Sequence, residues 1–344
     1  MSKKNQKASI IVVNWNGKQW LEGCLGSLLN QNYSNFEIIL VDNGSEDGSP
    51  ELIEEKFPSV KLICLKENTG FAKGNNVGIK KALQDRTAKY VACLNNDTKT
   101  EKDWLTSLIE CIEKSSKTGM VSSLALFPDG KVQNAGLFVQ NNDPFYAGGM
   151  SIGFNENREN YQKKKEIFAS GGVAALYRRE MLEDIEYKGE YFDEDFFAYG
   201  EDVDLGWKGR LLGWKAYLCS KAELTHYHSK TSGAASPLKA FLIKRNGILV
   251  VFKNYSFADI FKYIKEELKT NATYFFKKKK NSSVQKLSKS VGTKGMVLIV
   301  IKAYWGAFKM LPIMMKKRKF IQNKKNIDKK EYKEIFRKFT NETD

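Results

Sequence analysis

The chain has 344 residues, of which 42% are hydrophobic and 28% charged. That is enough for one large α/β domain with an appendage, too little for two full-sized catalytic domains, and too ordinary in composition for wholesale disorder or a polytopic membrane protein. The net charge of +16 is unevenly placed: residues 1–235 carry 29 Lys+Arg against 32 Asp+Glu, whereas residues 236–344 carry 27 against 8.

The opening Met-Ser-Lys-Lys-Asn-Gln-Lys runs directly into an apolar strand of about seven residues, without the longer apolar region and cleavage site of a secretory signal, so a cytosolic chain is expected. From residue 8 to about 126, short apolar runs alternate with helix-period segments, the pattern of consecutive βαβ units and a parallel sheet. Strands are predicted at Ser9–Asn14, Phe36–Val41, Val60–Leu65, Lys89–Leu94 and Gly119–Ala125, and helices at Lys18–Leu29, Ser49–Phe57, Ala72–Leu83 and Glu101–Ser115. Phe-Pro-Asp-Gly at 127–130 predicts a hairpin rather than another crossover. Residues 141–168, polar and rich in Asn and Lys, read as a long surface loop. A small-residue strand (Ala169–Tyr177), an acidic aromatic stretch (Tyr191–Asp204), a helix to about Leu212 and a strand (Trp214–Cys219) follow, and everything from Pro237 onward is helical and basic. Cys24, Cys64, Cys93, Cys111 and Cys219 form no C-x-x-C pair and read as buried reduced thiols.

In an open parallel sheet the ligand site lies outside the carboxyl ends of the strands. Four successive strand ends are polar here: Asn14-Trp15-Asn16-Gly17, Asp42-Asn43-Gly44-Ser45, Glu67-Asn68-Thr69-Gly70-Phe71 and Asn95-Asn96-Asp97-Thr98. One such loop is ordinary turn and cap chemistry; four in order point to a site. Asp42 is placed to accept hydrogen bonds from a nucleobase or ribose. The first turn is not G-x-G-x-x-G, which argues against a dinucleotide-binding dehydrogenase.

These stretches, with Ala72-Lys73-Gly74-Asn75-Asn76-Val77-Gly78, Ser170-Gly171-Gly172, Gly200-Glu201-Asp202-Val203-Asp204-Leu205 and His226, resemble family 2 glycosyltransferases of the GT-A fold, in the rhamnosyl- and galactofuranosyltransferase-like branch. The resemblance covers roughly residues 8–254. It implies an α/β GT-A catalytic domain at 1–235, with a nucleotide-binding half at about 8–126 and an acceptor-side half at about 127–235, followed by a basic helical extension at 236–344. It also implies an inverting enzyme that moves a sugar, rhamnose or galactofuranose, from a nucleoside-diphosphate sugar donor to a hydroxyl of a lipid-linked saccharide or surface-polysaccharide acceptor. Donor-binding positions carried over are Val13, Asn14, Asn16, Asp42, Asn68, Gly70, Phe71, Asn75, Asn95 and Asn96.

The family holds Mg²⁺ or Mn²⁺ through a D-x-D element, whereas this chain has Asn95-Asn96-Asp97, with only the last carboxylate in place. One carboxylate suffices if diphosphate oxygens, water and a further protein ligand complete the octahedron. The resemblance makes His226 that ligand; His228, alternating with it in one predicted loop, falls on the opposite face. Asp202 is the expected general base, since displacement at an anomeric carbon requires a carboxylate opposite the leaving group. Glu201 and Asp204 read as acids at a helix start, where they suit the dipole. Asp193, Glu194 and Asp195 read as a solvated charged turn, Trp207 as helix core, and Trp214 as core or an acceptor-stacking ring.

Met296–Met315 is apolar except for Lys302 and Lys309, and Lys316-Lys317-Arg318-Lys319 follows it. That pattern predicts an interfacial helix on an anionic membrane surface, making the protein peripheral on the inner, cytoplasmic face of the plasma membrane; a spanning helix is the alternative. No nucleic acid partner is expected, because no recognition signature accompanies the basic charge. Two rival functions stay open: a sugar-nucleotide-forming nucleotidyltransferase, which lacks its usual glycine-rich first loop here, and a lapsed enzyme kept as a binding subunit.

Overall fold

The computed structural model describes residues 5–139, 149–163, 165–227, 236–276 and 282–339. Strands β1 (Lys7–Asn14), β2 (Phe36–Asp42), β3 (Lys61–Cys64) and β4 (Ala88–Asn95) alternate with helices α1 (Lys18–Leu29), α2 (Ser49–Lys56) and α3 (Gly70–Leu83). Strand β5 (Thr98–Thr100), helix α4 (Trp104–Ile112) and strand β6 (Thr118–Leu126) follow. The second half contains β7 (Val132–Asn134), β8 (Leu137–Phe138), β9 (Met150–Ser151), β10 (Glu166–Ile167), β11 (Ala174–Arg178), α5 (Arg179–Ile185), α6 (Glu201–Leu211) and β12 (Lys215–His226). Helices α7 (Pro237–Asn254), α8 (Phe257–Phe276), α9 (Ser282–Lys324) and α10 (Lys329–Phe339) complete the chain.

One ten-stranded sheet runs β10-β12-β6-β11-β4-β1-β2-β3, with β5 paired to β12 and β7 to β6. The strands from β1 to β4 pair in parallel, as their alternation with helices predicts. Strand β6 does not join them directly, because β11 lies between β4 and β6 and runs antiparallel to both. The 127–130 turn closes the expected hairpin, pairing β6 with β7.

Both faces of the sheet are covered, and the two-residue period of a strand decides which side chain goes where. Ile10 and Val12 pack with Leu21, Leu25, Trp104 and Leu108 on one face. Ile11 points the other way, into a core shared with Ile79, Met120, Trp207 and Leu211. Trp207 is fully buried, as its helical spacing predicts, and its ring lies 5.0 Å from Tyr255 and 5.1 Å from Phe336. The last helices therefore pack on the sheet-bearing part of the chain. Trp214 is half-buried, with its indole N–H on Asp184 at 2.9 Å.

Several expectations change, among them the long loop at 141–168, which carries the short strands β9 and β10. The strand predicted at Ala169–Tyr177 forms only from Ala174, leaving Ser170-Gly171-Gly172-Val173 as a loop. His226 is not in a loop but ends β12, because Leu224–His226 pair with Thr100–Thr98 of β5. Asp193 is not solvated: it is buried against Lys253 at 2.5 Å and Lys317 at 2.5 Å. All five cysteines are free, and Cys64, unlike the other four, is exposed.

Candidate active site

The parallel register places Asn14 beside Asp42 at the carboxyl ends of β1 and β2. Asp42 is buried; its Oδ1 accepts from the Asn14 amide at 2.9 Å and its Oδ2 from the Ser45 N–H at 2.8 Å. Asn14 Oδ1 in turn accepts from Asn96 Nδ2 at 2.6 Å. A Cβ on Gly17 would lie 2.2 Å from that Asn96 nitrogen, so the close approach of the first and fourth loops needs glycine there. Asn16 joins the second loop, accepting from the Glu46 N–H at 2.8 Å, while its own N–H donates to Ser45 Oγ at 2.8 Å. The third loop is held by Asn43, which accepts from the Thr69 N–H at 2.9 Å and donates to Asn68 Oδ1 at 3.1 Å. Four strand-end loops thus share one continuous hydrogen-bonded rim.

Gly70 starts α3 with φ at 88°, and a Cβ there would lie 2.5 Å from the Phe197 carbonyl oxygen. This contact brings the loop before α6 onto the rim, reinforced by the Ala72 N–H donating to Phe197 O at 3.2 Å. Val13 and Phe71 border the rim, half-buried. Asn75 turns inward: it is buried, and its amide donates to the Phe71 carbonyl at 2.9 Å, one turn back along α3.

Asn95 extends β4 into the next part of the site, its N–H donating to Val173 O at 2.9 Å. One residue earlier, the Gly172 N–H donates to Asp202 Oδ2 at 3.0 Å. Asp202 sits in the first turn of α6, half-buried, with Oδ1 on the Val203 N–H at 2.8 Å. Burial pushes its carboxyl above the ordinary aspartate value, partly offset by these backbone donors. Glu201 is buried, its Oε2 without a hydrogen-bond partner among the described residues, and burial, then the charge of Asp202, pushes it well above the usual carboxylate range. Glu201 is thus more than a solvated dipole acid. So is Asp204, fully buried and bonded to Lys253 at 2.8 Å and Asn254 at 2.9 Å.

Asp97 and His226 are both buried, and Asp97 Oδ1 lies 2.9 Å from His226 Nε2. The β5–β12 pairing makes this contact. On the other side of the ring, His226 Nδ1 bonds Gln133 Oε1, which assigns the proton to Nδ1 and turns Nε2 toward Asp97. A carboxylate oxygen and an imidazole lone pair face each other at such a distance only with a proton or cation between them. The pair therefore fits a divalent cation as two ligands, with the remaining positions open to diphosphate oxygens and water. Among the described residues no group of three or more His, Cys, Asp or Glu side chains supplies a fuller ligand set. His228 lies outside the described residues.

Sequence reasoning missed two supports. Gln133 carries no motif signal, lying in a short hairpin strand. Asn246, in α7 between Arg245 and Gly247, donates to the carbonyls of Phe196, Ala198 and Tyr199 at 3.0, 2.9 and 2.6 Å. These carbonyls belong to a loop in which Phe197 and Tyr199 take positive φ, at 66° and 69°, just ahead of Glu201 and Asp202. Asn246 follows Lys244-Arg245 in the sequence, so nothing local set it apart.

A family model described as glycosyl transferase family 2 matches residues 9–186, more than half of the chain and all four rim loops. The chain belongs to this glycosyltransferase family. The family 2 glycosyltransferase is similar to N-acetylglucosaminyl-diphospho-decaprenol L-rhamnosyltransferase of Mycobacterium tuberculosis, 24% identical over 244 residues, covering 65% of this chain and 77% of that protein. It is also similar to glycosyltransferase GlyA of Streptococcus pneumoniae, 26% identical over 223 residues, 63% of this chain but 30% of that one. With poly-beta-1,6-N-acetyl-D-glucosamine synthase of Staphylococcus epidermidis it shares 27% identity over 209 residues, 60% of this chain and 46% of that protein. The chain thus spans less than half of these last two.

Solved structures with the same fold include GalNAc-T7 with UDP, GalNAc and Mn²⁺ (TM-score 0.58, 15% identity, 83% of this chain and 54% of that one). The mannosyltransferase PcManGT from Pyrobaculum calidifontis, in complex with GDP-Man and Mn²⁺, follows with TM-score 0.52 and 16% identity, over 93% of this chain and 86% of that one. TarS 1-349 of S. aureus gives 0.53 and 17%, over 92% and 88%. At these identities the likeness is one of fold, and the fold of this glycosyltransferase is GT-A.

Proposed function

We propose that this glycosyltransferase moves a sugar from a nucleoside-diphosphate donor to a hydroxyl of a lipid-linked saccharide, at the cytoplasmic face of the membrane, by one displacement that inverts the anomeric centre. The observation carrying this reading is that the Asp97–His226 pair and Asp202 both adjoin the rim built by Asn14, Asp42, Asn43 and Asn96, one through β5 and β12, the other through Gly172.

In this reading Asn14, Asn16 and Asn68, with the backbone of the second and third loops, bind the nucleotide. Asp42 holds Asn14 and the turn at Ser45 in place and offers its remaining lone pairs to the ligand. Asp97 and His226 bind Mg²⁺ or Mn²⁺, which when present neutralises the departing diphosphate. Asp202 takes the proton of the acceptor hydroxyl while that oxygen bonds to the anomeric carbon and the diphosphate leaves with the electron pair of the broken bond. Its raised basicity, a consequence of burial, suits that task at neutral pH.

The mycobacterial rhamnosyltransferase supports an L-rhamnosyl donor and a polyprenyl diphosphate acceptor. The Mn²⁺ in two fold neighbours supports the metal. The test is a donor screen scoring nucleoside diphosphate release with Mg²⁺, Mn²⁺ or chelator, followed by NMR of the product's anomeric configuration. Release by the wild type, lost with chelator, and an inverted product are expected. A retained configuration, or no release with any donor, would overturn the reading.

A further inference from the structure

Over Met296–Met315, α9 has two chemically different faces. One is buried through Met296, Ala303, Ala307 and Met314. Just beyond, Lys317 reaches Asp193 at 2.5 Å and Arg318 donates to the Tyr255 carbonyl at 2.7 Å. The other face carries Leu298, Ile301, Trp305 and Phe308, exposed by 51%, 58%, 57% and 62%. Steps of three, four and three residues set these side chains in one stripe along the helix. Lys302, Lys309 and Lys316, seven apart and all exposed, border the same stripe. The Lys309 ammonium stands over the Trp305 ring at 5.1 Å. No acidic residue occurs between Met296 and Lys319.

We propose that this stripe docks on an anionic lipid bilayer, the helix lying in the interface with its apolar side chains among the acyl chains and its lysines at the head groups. An unbroken row of large apolar residues facing water is unusual on a soluble surface, and the basic border is complementary to lipid phosphates. Lying on the bilayer fits better than spanning it, because a lone spanning helix meets lipid all round, whereas the opposite face of α9 is packed on α7. The Lys317–Asp193 ion pair then fixes the membrane plane relative to the loop that leads to Asp202. Such docking would bring a lipid-linked acceptor to that loop, and only this consequence rests on the proposed function.

The test is flotation of the full chain with vesicles of phosphatidylglycerol and phosphatidylcholine, against vesicles of phosphatidylcholine alone, without donor. Wild type should float with the anionic vesicles and less so at high salt. A W305E/F308E variant with an unchanged melting temperature should lose at least tenfold in bound fraction, and K302Q/K309Q/K316Q should lose the salt-sensitive part. No flotation of wild type, or flotation unchanged in W305E/F308E, overturns the proposal. So does a dimer that becomes a monomer in W305E/F308E with no lipid effect, which would assign the stripe to a second copy of the chain. Because no turnover is measured, failure here is separate from failure of the glycosyl-transfer reading.

Discussion

Asp202 Oδ2 lies 3.0 Å from the Gly172 nitrogen, and this one bond fastens the first turn of α6 to the loop that runs beside the end of β4. An amide oxygen accepts the same bond, so Asp202→Asn should fold normally and still bind donor. Its turnover should fall by about 10²- to 10⁴-fold, the scale of a lost general base. Steady-state rates alongside donor titration check this; a variant with near-normal turnover would remove Asp202 from the mechanism.

Burial raises the Asp202 carboxyl in the folded protein, so it stays protonated, and unable to accept a proton, at pH values where a free aspartate is ionised. Activity should therefore rise with pH along an acid limb above the ordinary aspartate value of about 3.9. A pH profile of kcat/KM measures this directly. A limb at or below the ordinary value would contradict the assignment.

Gln133 Oε1 accepts a hydrogen bond from Nδ1–H of His226 and so presents Nε2 to Asp97. On the proposed metal site, replacing such an outer partner of a ligand typically costs about 10- to 100-fold in metal affinity. Gln133→Leu should raise the Mn²⁺ concentration needed for half-maximal activity by that factor, with saturating Mn²⁺ restoring most of the rate. An unchanged metal titration would deny Gln133 this role.

Asn246 donates to three carbonyls of the loop entering α6. Asn246→Leu removes the amide donor from the half-buried Ala198 and Tyr199 carbonyls, while Phe196 O keeps Arg245 and the Ala198 N–H, which should cost about 1–3 kcal/mol of stability. Because the loosened loop leads to Asp202, kcat should fall further than the donor KM rises. Denaturant melts and kinetics read the two effects separately, and a stability loss with unchanged kcat would make Asn246 structural only.

Asp193 is pushed up by burial, but Lys253 and Lys317 more than offset this, so its carboxyl titrates below the usual range in the folded protein. A depressed folded value means that the stability gained is complete above the unfolded value of about 3.9 and is lost as pH falls through the folded one. Lys317→Met leaves that buried carboxylate with one cation fewer and should cost about 3–5 kcal/mol at neutral pH. Comparison of melts at pH 7 and below pH 4 tests both statements; equal stability of the two proteins at pH 7 would refute them.

Up to residue 126 most elements were legible in the sequence, β5 excepted. Helix Lys18–Leu29 was placed as predicted, and the polar strand ends do form one rim. These features depend on neighbours a few residues apart: side-chain periodicity, turn chemistry and the crevice at the carboxyl edge of a parallel sheet. The resemblance reached Asp97, Asp202 and His226 as separate positions. Their connections came only with the fold, because β11 enters the sheet antiparallel between β4 and β6, and β5 pairs with β12 to bring His226 to Asp97. The basic tail divides in the same way. Lys309 and Lys317 are one residue type in one helix, yet Lys309 faces solvent while Lys317 is buried against Asp193. Composition counts both charges alike; which of them meets water depends on a partner more than a hundred residues away along the chain, and no local pattern encodes that meeting.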